Sequence, residues 1–242
     1  MKELSLFSGA GGGLLASKLL GWSTIGYVEI NEYCQQILAQ RIKDGILDEA
    51  PIFTDIRQFI QSGAAKQYRG FVDVVTGGFP CQPFSVAGKR KGREDKRNLW
   101  PETIEIIRQV RPSFVFLENV LGLVRNPYFG TILGTLAESG YDCRWRILSC
   151  AEVGGPHRRD RVWIVAYTNY EYGKCRYEQS QSSSQWRGRF GDQDKKVTWW
   201  EIEPAVDRVV DGMAHRVDRL KALGNGQVPI VAATAWNLLT KA

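Results

Sequence analysis

Two periodicities divide the chain. Leu4-Ser5-Leu6-Phe7, the span from Thr24 to Glu29, Phe71-Val72-Asp73-Val74-Val75-Thr76, Phe114-Val115-Phe116-Leu117 and Val162-Trp163-Ile164-Val165-Ala166 are short, mainly apolar runs bounded by polar residues or glycine. Such runs read as strands. Between them apolar residues return at helical spacing, from Leu14 to Leu20, from Asn31 to about Arg41, and at Trp100, Thr103, Ile104, Ile107 and Val110. A last apolar helix is expected from about Val228 to Leu239. Strand–helix alternation predicts an α/β fold, a doubly wound and mostly parallel sheet. After Tyr167 the pattern stops. From Thr168 to Val197 serine, glutamine and charged residues dominate, with Tyr170, Tyr172, Tyr177, Trp186 and Phe190 interleaved. This composition reads as a surface insertion or as a basic, aromatic nucleic-acid contact.

At 242 residues, with 43% apolar and 24% charged side chains, the chain has the material for a real core and is neither disordered nor fibrous. No stretch approaches the ~18 consecutive apolar residues of a membrane span. Met1 to Gly9 meets Ser8 and Gly9 after a very short apolar run, without the apolar core of a signal peptide. A cytoplasmic protein with no membrane partner is expected. The formal charge of +6 is compatible with a nucleic-acid partner. Cys34, Cys81, Cys143, Cys150 and Cys175 form no C-x-x-C pair, and only His157 and His215 are present. A zinc knuckle, a thioredoxin motif and a His-rich metal site are thereby excluded, and no metal is expected.

Chemistry-bearing residues collect where the predicted strands end. Phe7-Ser8-Gly9-Ala10-Gly11-Gly12-Gly13 joins a strand to a helix, where glycines let a ligand approach a helix N-terminus. Glu29 follows about 20 residues on, the place of a carboxylate that accepts from ribose hydroxyls. Leu14 breaks a strict G-x-G-x-x-G, so the signal is for an adenosine-bearing cofactor, or simply for a tight turn. Gly77-Gly78-Phe79-Pro80-Cys81-Gln82-Pro83-Phe84-Ser85 puts a cysteine in a loop at a strand's carboxyl end, suited to a nucleophile. Glu118, leaving an apolar strand in Leu117-Glu118-Asn119-Val120, is placed for desolvation and proton donation. His157-Arg158-Arg159-Asp160-Arg161 precedes the last strand, and Ala222-Leu223-Gly224-Asn225-Gly226-Gln227-Val228-Pro229 turns into the last helix. Arginines can hold a nucleobase carbonyl or a phosphate. Core, capping or solvated-loop roles would account for each motif taken singly.

The order of the five motifs is the stronger signal, and in that order the chain resembles the C5-cytosine DNA methyltransferase family. The likeness spans residues 1–167 and about 199–242. It implies a Rossmann-like fold with three parts: a catalytic S-adenosyl-L-methionine-binding domain (1–167), a very small target-recognition insertion (168–204) and a C-terminal segment returning to the catalytic domain (205–242). Family roles then fall on this chain residue by residue. Phe7, Gly9, Gly11, Glu29, Ile30, Asp55, Ile56, Pro80, Leu99, Asn225 and Gly226 would bind the cofactor. Cys81 would be the nucleophile, Glu118 would engage cytosine N3 and the exocyclic amine, and Arg159 and Arg161 would hold the site together. Gln82, Ser85, Lys89, Arg97, Lys174, Arg176, Arg187 and Arg189 would contact DNA. Lys89, Arg90, Lys91, Arg93, Lys96 and Arg97, set between Gly88 and Gly92 and beyond, resemble a closing catalytic loop. The chain departs from the family at Ser5 (Asp in the family), at His157 (Gln in the family) and in the shortness of the insertion. The expected partner is double-stranded DNA with a flipped cytosine, with a cognate restriction enzyme beside it and the enzyme itself a monomer. A catalytically decayed DNA-binding protein and a cytosine-5 methyltransferase of RNA stand as alternatives.

Overall fold

The computed structural model describes residues 1–80, 98–168, 218, 222 and 224–241. Seven strands form one sheet: β1 (Lys2–Leu6), β2 (Ser23–Val28), β3 (Ile52–Phe53), β4 (Val74–Gly77), β5 (Phe114–Val120), β6 (Asp142–Leu148) and β7 (Arg161–Tyr167). Their order is β3-β2-β1-β4-β5-β7-β6. Strands β1 to β5 pair in parallel. β7 runs antiparallel to both β5 and β6. The sheet is mostly parallel, as the alternation predicts, and β7 runs against the rest because only the segment 149–160 separates it from β6. A connection that short suits an antiparallel neighbour. Chain direction across the sheet reverses between β1 and β4, the switch point at which open α/β sheets bind ligands.

The strands are accompanied by α-helices α1 (Gly12–Leu19), α2 (Glu32–Lys43), α3 (Ile56–Gln61), α4 (Ala64–Gln67), α5 (Trp100–Val110), α6 (Tyr128–Glu138) and α7 (Pro229–Lys241). Strand periodicity splits the core into two faces. Val115, Leu117, Val162 and Ile164 turn to one side and pack with Phe59, Ile104, Ile107, Ile132 and Leu136 of α3, α5 and α6. Phe114, Phe116, Trp163 and Val165 turn to the other, against Ala16 of α1 and Val231, Ala235 and Trp236 of α7. Trp236 anchors α7, with its ring 4.7 Å from that of Trp22 and 5.4 Å from those of Phe114 and Phe116. This anchor brings the start of α7 to the carboxyl ends of the strands, beside the start of α1.

One boundary differs from the sequence pattern. Phe71 does not begin β4. Its ring is 62% exposed, and the strand starts at Val74. No helix among the described residues is long and apolar enough to cross a membrane.

Candidate functional site

The loop leaving β1 is built from backbone that few residues tolerate. Phe7 has φ 53°, Gly9 φ 54° and Gly11 φ 90°. A side chain in this left-handed region costs roughly 1–2 kcal/mol, so Phe7 holds local strain. The Ser8 hydroxyl reaches back to the Ser5 carbonyl at 3.1 Å and to Ser5 Oγ at 3.0 Å. The Gly9 N–H donates to Glu29 Oε2 at 2.6 Å, and the Asn31 N–H donates to Glu29 Oε1 at 2.8 Å. Buried Glu29 therefore braces the loop after β1 against the turn after β2. Ile30, next along, is 66% exposed. Arg41 of α2 closes the far side by donating to the Ala10 carbonyl at 2.7 Å.

These turns surround a cleft lined by Ser5 to Ala10, Gly12 to Leu14, Thr76 to Gly78, Glu118 and Asn225 to Gln227. Of the cofactor residues expected from sequence, Phe7, Gly9, Asn225 and Gly226 line it, together with Glu118. Gly11, Glu29, Ile30, Asp55, Ile56, Pro80 and Leu99 stand outside its lining. Asp55 caps α3, accepting from the Arg57 N–H at 2.7 Å, and Ile56 is buried in the core. Leu99 precedes α5 and accepts from Thr103 through its carbonyl. Cys81, Gln82, Ser85, Lys89, Arg97, Lys174, Arg176, Arg187 and Arg189 lie outside the described residues.

Glu118 reaches the cleft by strand geometry. It shares a face with Phe114 and Phe116, two and four residues back on β5, and therefore faces the α7 side of the sheet. On β7, Trp163 is paired directly with Glu118 and Arg161 with Val120, so Arg161 is the diagonal neighbour on the same face. Its Nε donates to Glu118 Oε1 at 2.8 Å. Burial pushes the Glu118 carboxyl above the usual carboxylate range, while the Arg161 and Arg159 charges and a hydrogen bond from Gln227 pull it back. Arg159 donates to the Gly224 carbonyl at 2.7 Å and to the Gly226 carbonyl at 2.8 Å, clasping the turn before α7. On the opposite face, buried Asn119 donates to the Phe79 carbonyl at 3.0 Å and fixes the start of the loop that leads to Pro80.

Gln227, Asn119 and Gly78 are part of this arrangement without being marked by residue type in the sequence. Gly78 matters through what it lacks: a Cβ there would lie 3.0 Å from Glu118 Oε2 and 3.3 Å from Gln227 Nε2. Gly9, by contrast, has open space where a side chain would stand, with only the Phe7 carbonyl at 4.0 Å. A backbone exposed to a cleft at the switch point, with a carboxylate at the end of β2, fits an adenosine-bearing group.

Comparison with known proteins agrees with this geometry. Residues 1–219 match the description "C-5 cytosine-specific DNA methylase". The type II methyltransferase M.NgoMIV of Neisseria gonorrhoeae is 36% identical over 175 residues, 69% of this chain and 53% of that protein. M.HhaI of Haemophilus parahaemolyticus is 29% identical over 173 residues, 70% of this chain and 50% of that protein. Among solved structures, DNMT2 of Spodoptera frugiperda superposes with a TM-score of 0.57 at 26% identity, covering 69% of this chain and 50% of its own. The chain spans about half the length of these relatives. With the family match running through nearly all of the sequence, from the glycine loop past the arginine motif, the chain belongs to the C-5 cytosine-specific DNA methylase family.

Proposed function

We propose that the protein transfers the methyl group of S-adenosyl-L-methionine to C5 of a cytosine flipped out of double-stranded DNA. The observation that carries this reading is the largely enclosed Glu118 carboxyl group, ion-paired with Arg161 and opening into the glycine-lined cleft. One wall of that cleft suits an adenosine-bearing group, and the other presents the Glu118 carboxyl group, with the Arg161 guanidinium paired to it from a small adjoining space. The cofactor supplies an electrophilic methyl group on a sulfonium sulfur. Phe7, Gly9, Asn225 and Gly226 would hold it, with Glu29 bracing the loop and retaining lone pairs for ribose hydroxyls.

The ring carbon to be methylated is a weak nucleophile until a thiolate adds at C6. Cys81 is the residue placed by the sequence motif to add there. Charge then develops on the ring. A protonated Glu118 donates at N3, and burial favours that protonated form. Arg161 is set to face O2 of the same ring. Once C5 carries the methyl group, loss of its proton breaks the C6–sulfur bond and releases Cys81 as thiolate, and return of the N3 proton to Glu118 restores the neutral aromatic ring. A base stacked in a duplex cannot enter such a pocket, so flipping is required. The insertion at 168–204 would set sequence preference, and relatives named type II methyltransferases make a restriction enzyme the partner to look for.

The test uses labelled S-adenosyl-L-methionine with duplex DNA and with RNA, alongside DNA carrying 5-fluorocytosine. Fluorine at C5 blocks the final elimination, so a covalent adduct mapping to Cys81 is expected with DNA. Methylation of ordinary DNA without an adduct at a verified target would sink the covalent route. Transfer to RNA alone would reassign the substrate, and transfer to neither would overturn the activity.

A further inference from the structure

Gln227 has no assigned role, yet it touches both halves of the site. Its side chain hydrogen-bonds the Glu118 carboxylate. Its backbone lies on the first turn of α1, with the Gln227 carbonyl 2.5 Å from where a Cβ on Gly12 would stand. Its Oε1 is 2.6 Å from the corresponding point on Gly13, and its Nε2 is 3.3 Å from that on Gly78. Three glycines, two on the first turn of α1 and one after β4, thus leave the space this one residue fills. Gln227 lines the cofactor cleft, and it also lines the small space beneath Glu118, Arg159 and Arg161.

We propose that Gln227 is a positioning residue: its amide fixes the Glu118 carboxyl for the target base while its backbone seats the C-terminal turn beside the cofactor. The inference rests on the methyltransferase reading for its functional meaning, but its structural content does not. Among the described residues, the groups acting on Glu118 are Arg161 and Arg159 from β7 and the turn before it, and Gln227 from the turn before α7, with Gly78 of the segment after β4 beside them. The two guanidinium groups attract the carboxyl group from different positions and could pull it to either side. A neutral donor of fixed length, wedged between the first turn of α1 and Gly78, limits that rotation and adds no further charge. The amide N–H also favours the ionised carboxylate, so its removal lets Glu118 keep its proton to higher pH.

Gln227→Met keeps the length of the side chain and removes the donor. Gln227→Glu keeps the shape, places a like charge beside Glu118, and serves if the Met variant fails to fold. The first readout needs no activity: the full chain is labelled with ¹³C at glutamate carboxyls, and the Glu118 signal is assigned with Glu118→Gln. In both variants that signal should titrate at higher pH than in the parent chain, most in Gln227→Glu. The second readout is methyl transfer. Gln227→Met should lower kcat about tenfold, the order of one lost hydrogen bond. Its alkaline limb should move upward in pH, with KM for DNA little changed. A Glu118 titration identical in all three proteins overturns the proposal, as does a loss confined to KM or thermal stability. If the parent chain transfers no methyl group, the proposed activity falls, and the carboxyl titration still decides the role of Gln227.

Discussion

Gly12→Ala is expected to destabilise this protein even though it places a better helix former in a helix. The comparison that isolates the reason is Gly134→Ala in α6. Gly134 is exposed, lies inside the helix and has nothing within 4 Å of the point where a Cβ would sit. There the substitution gains only helix propensity, about 1 kcal/mol, which for a chain of this size raises Tm by roughly 2–4 °C. Gly12 opens α1, and a Cβ on it would lie 2.5 Å from the Gln227 carbonyl oxygen and 3.1 Å from the Gln227 nitrogen. Both are backbone atoms and cannot swing aside as a side-chain end would. The turn that carries them is held by the two Arg159 hydrogen bonds and by α7 packing through Trp236. Forcing a methyl group into such a contact costs roughly 1–3 kcal/mol, more than propensity returns. Urea denaturation should therefore give opposite signs: a higher midpoint for Gly134→Ala and a lower one for Gly12→Ala. Calorimetry should also show weaker S-adenosyl-L-methionine binding in Gly12→Ala alone, because the displaced turn carries Asn225 and Gly226. If Gly12→Ala proves as stable as Gly134→Ala, the C-terminal turn is not seated on α1 and does not wall the cleft.

Three further outcomes are expected. Cys81→Ala should abolish methyl transfer and leave S-adenosyl-L-methionine binding intact by calorimetry, since nucleophile and cofactor loop belong to different strand ends; turnover above a trace would remove Cys81 as nucleophile. Glu29→Ala should weaken cofactor binding and lower stability by roughly 1–3 kcal/mol, because two backbone N–H groups lose a charged acceptor; unchanged affinity together with unchanged stability would refute the bracing role. Glu3→Gln should stabilise the fold at neutral pH. Buried on β1 and hydrogen-bonded by Thr24 and Thr76, Glu3 has its carboxyl raised by burial, with those hydroxyls opposing. The folded state then holds a proton that the unfolded chain has released, so Glu3 favours folding at acid pH and loses that contribution as pH climbs from the ordinary carboxylate value through the raised one. Urea midpoints should diverge between parent and Glu3→Gln as pH rises through that window; a parallel pair of curves would count against the burial argument.

How much of this was legible in the residues depends on which contacts decided each element. β1, β2, β5, β7, α1, α2, α5 and α7 announce themselves, since each carries its own apolar period. The hairpin strand β6 does not. Asp-Cys-Arg-Trp-Arg-Ile-Leu alternates charge with bulk because it sits at the sheet edge, and only Leu148 is buried. That alternation is the period of an edge strand rather than the continuous apolar run that marks its neighbours, and pairing with β7 holds it in place. β3, with two residues, and α4, with four, are too short to show any period. Phe71 misleads in the opposite sense: an aromatic residue extends the apparent strand, while the chain there is still turning from α4 and leaves the ring in solvent.

The site shows the same division within a single motif. In sequence, Gly9, Gly11, Gly12 and Gly13 look alike and suggest one purpose, close approach of a ligand. In the fold they do two different things. Gly9 and Gly11 supply left-handed backbone, and the position of a Cβ on Gly9 is open. Gly12 and Gly13 have helical backbone that any residue could adopt, and are small because Gln227 lies against them. The first pair is a property of the local turn, readable from a strand followed by glycines and a helix. The second depends on a residue more than two hundred positions away in sequence, delivered there by Trp236 and Arg159. Residue type alone marks Gln227 as an ordinary polar residue before a helix. Its weight comes from the buried Glu118 that strand parity turns toward it, and so the residue that joins the two halves of the site is one that no local pattern distinguishes.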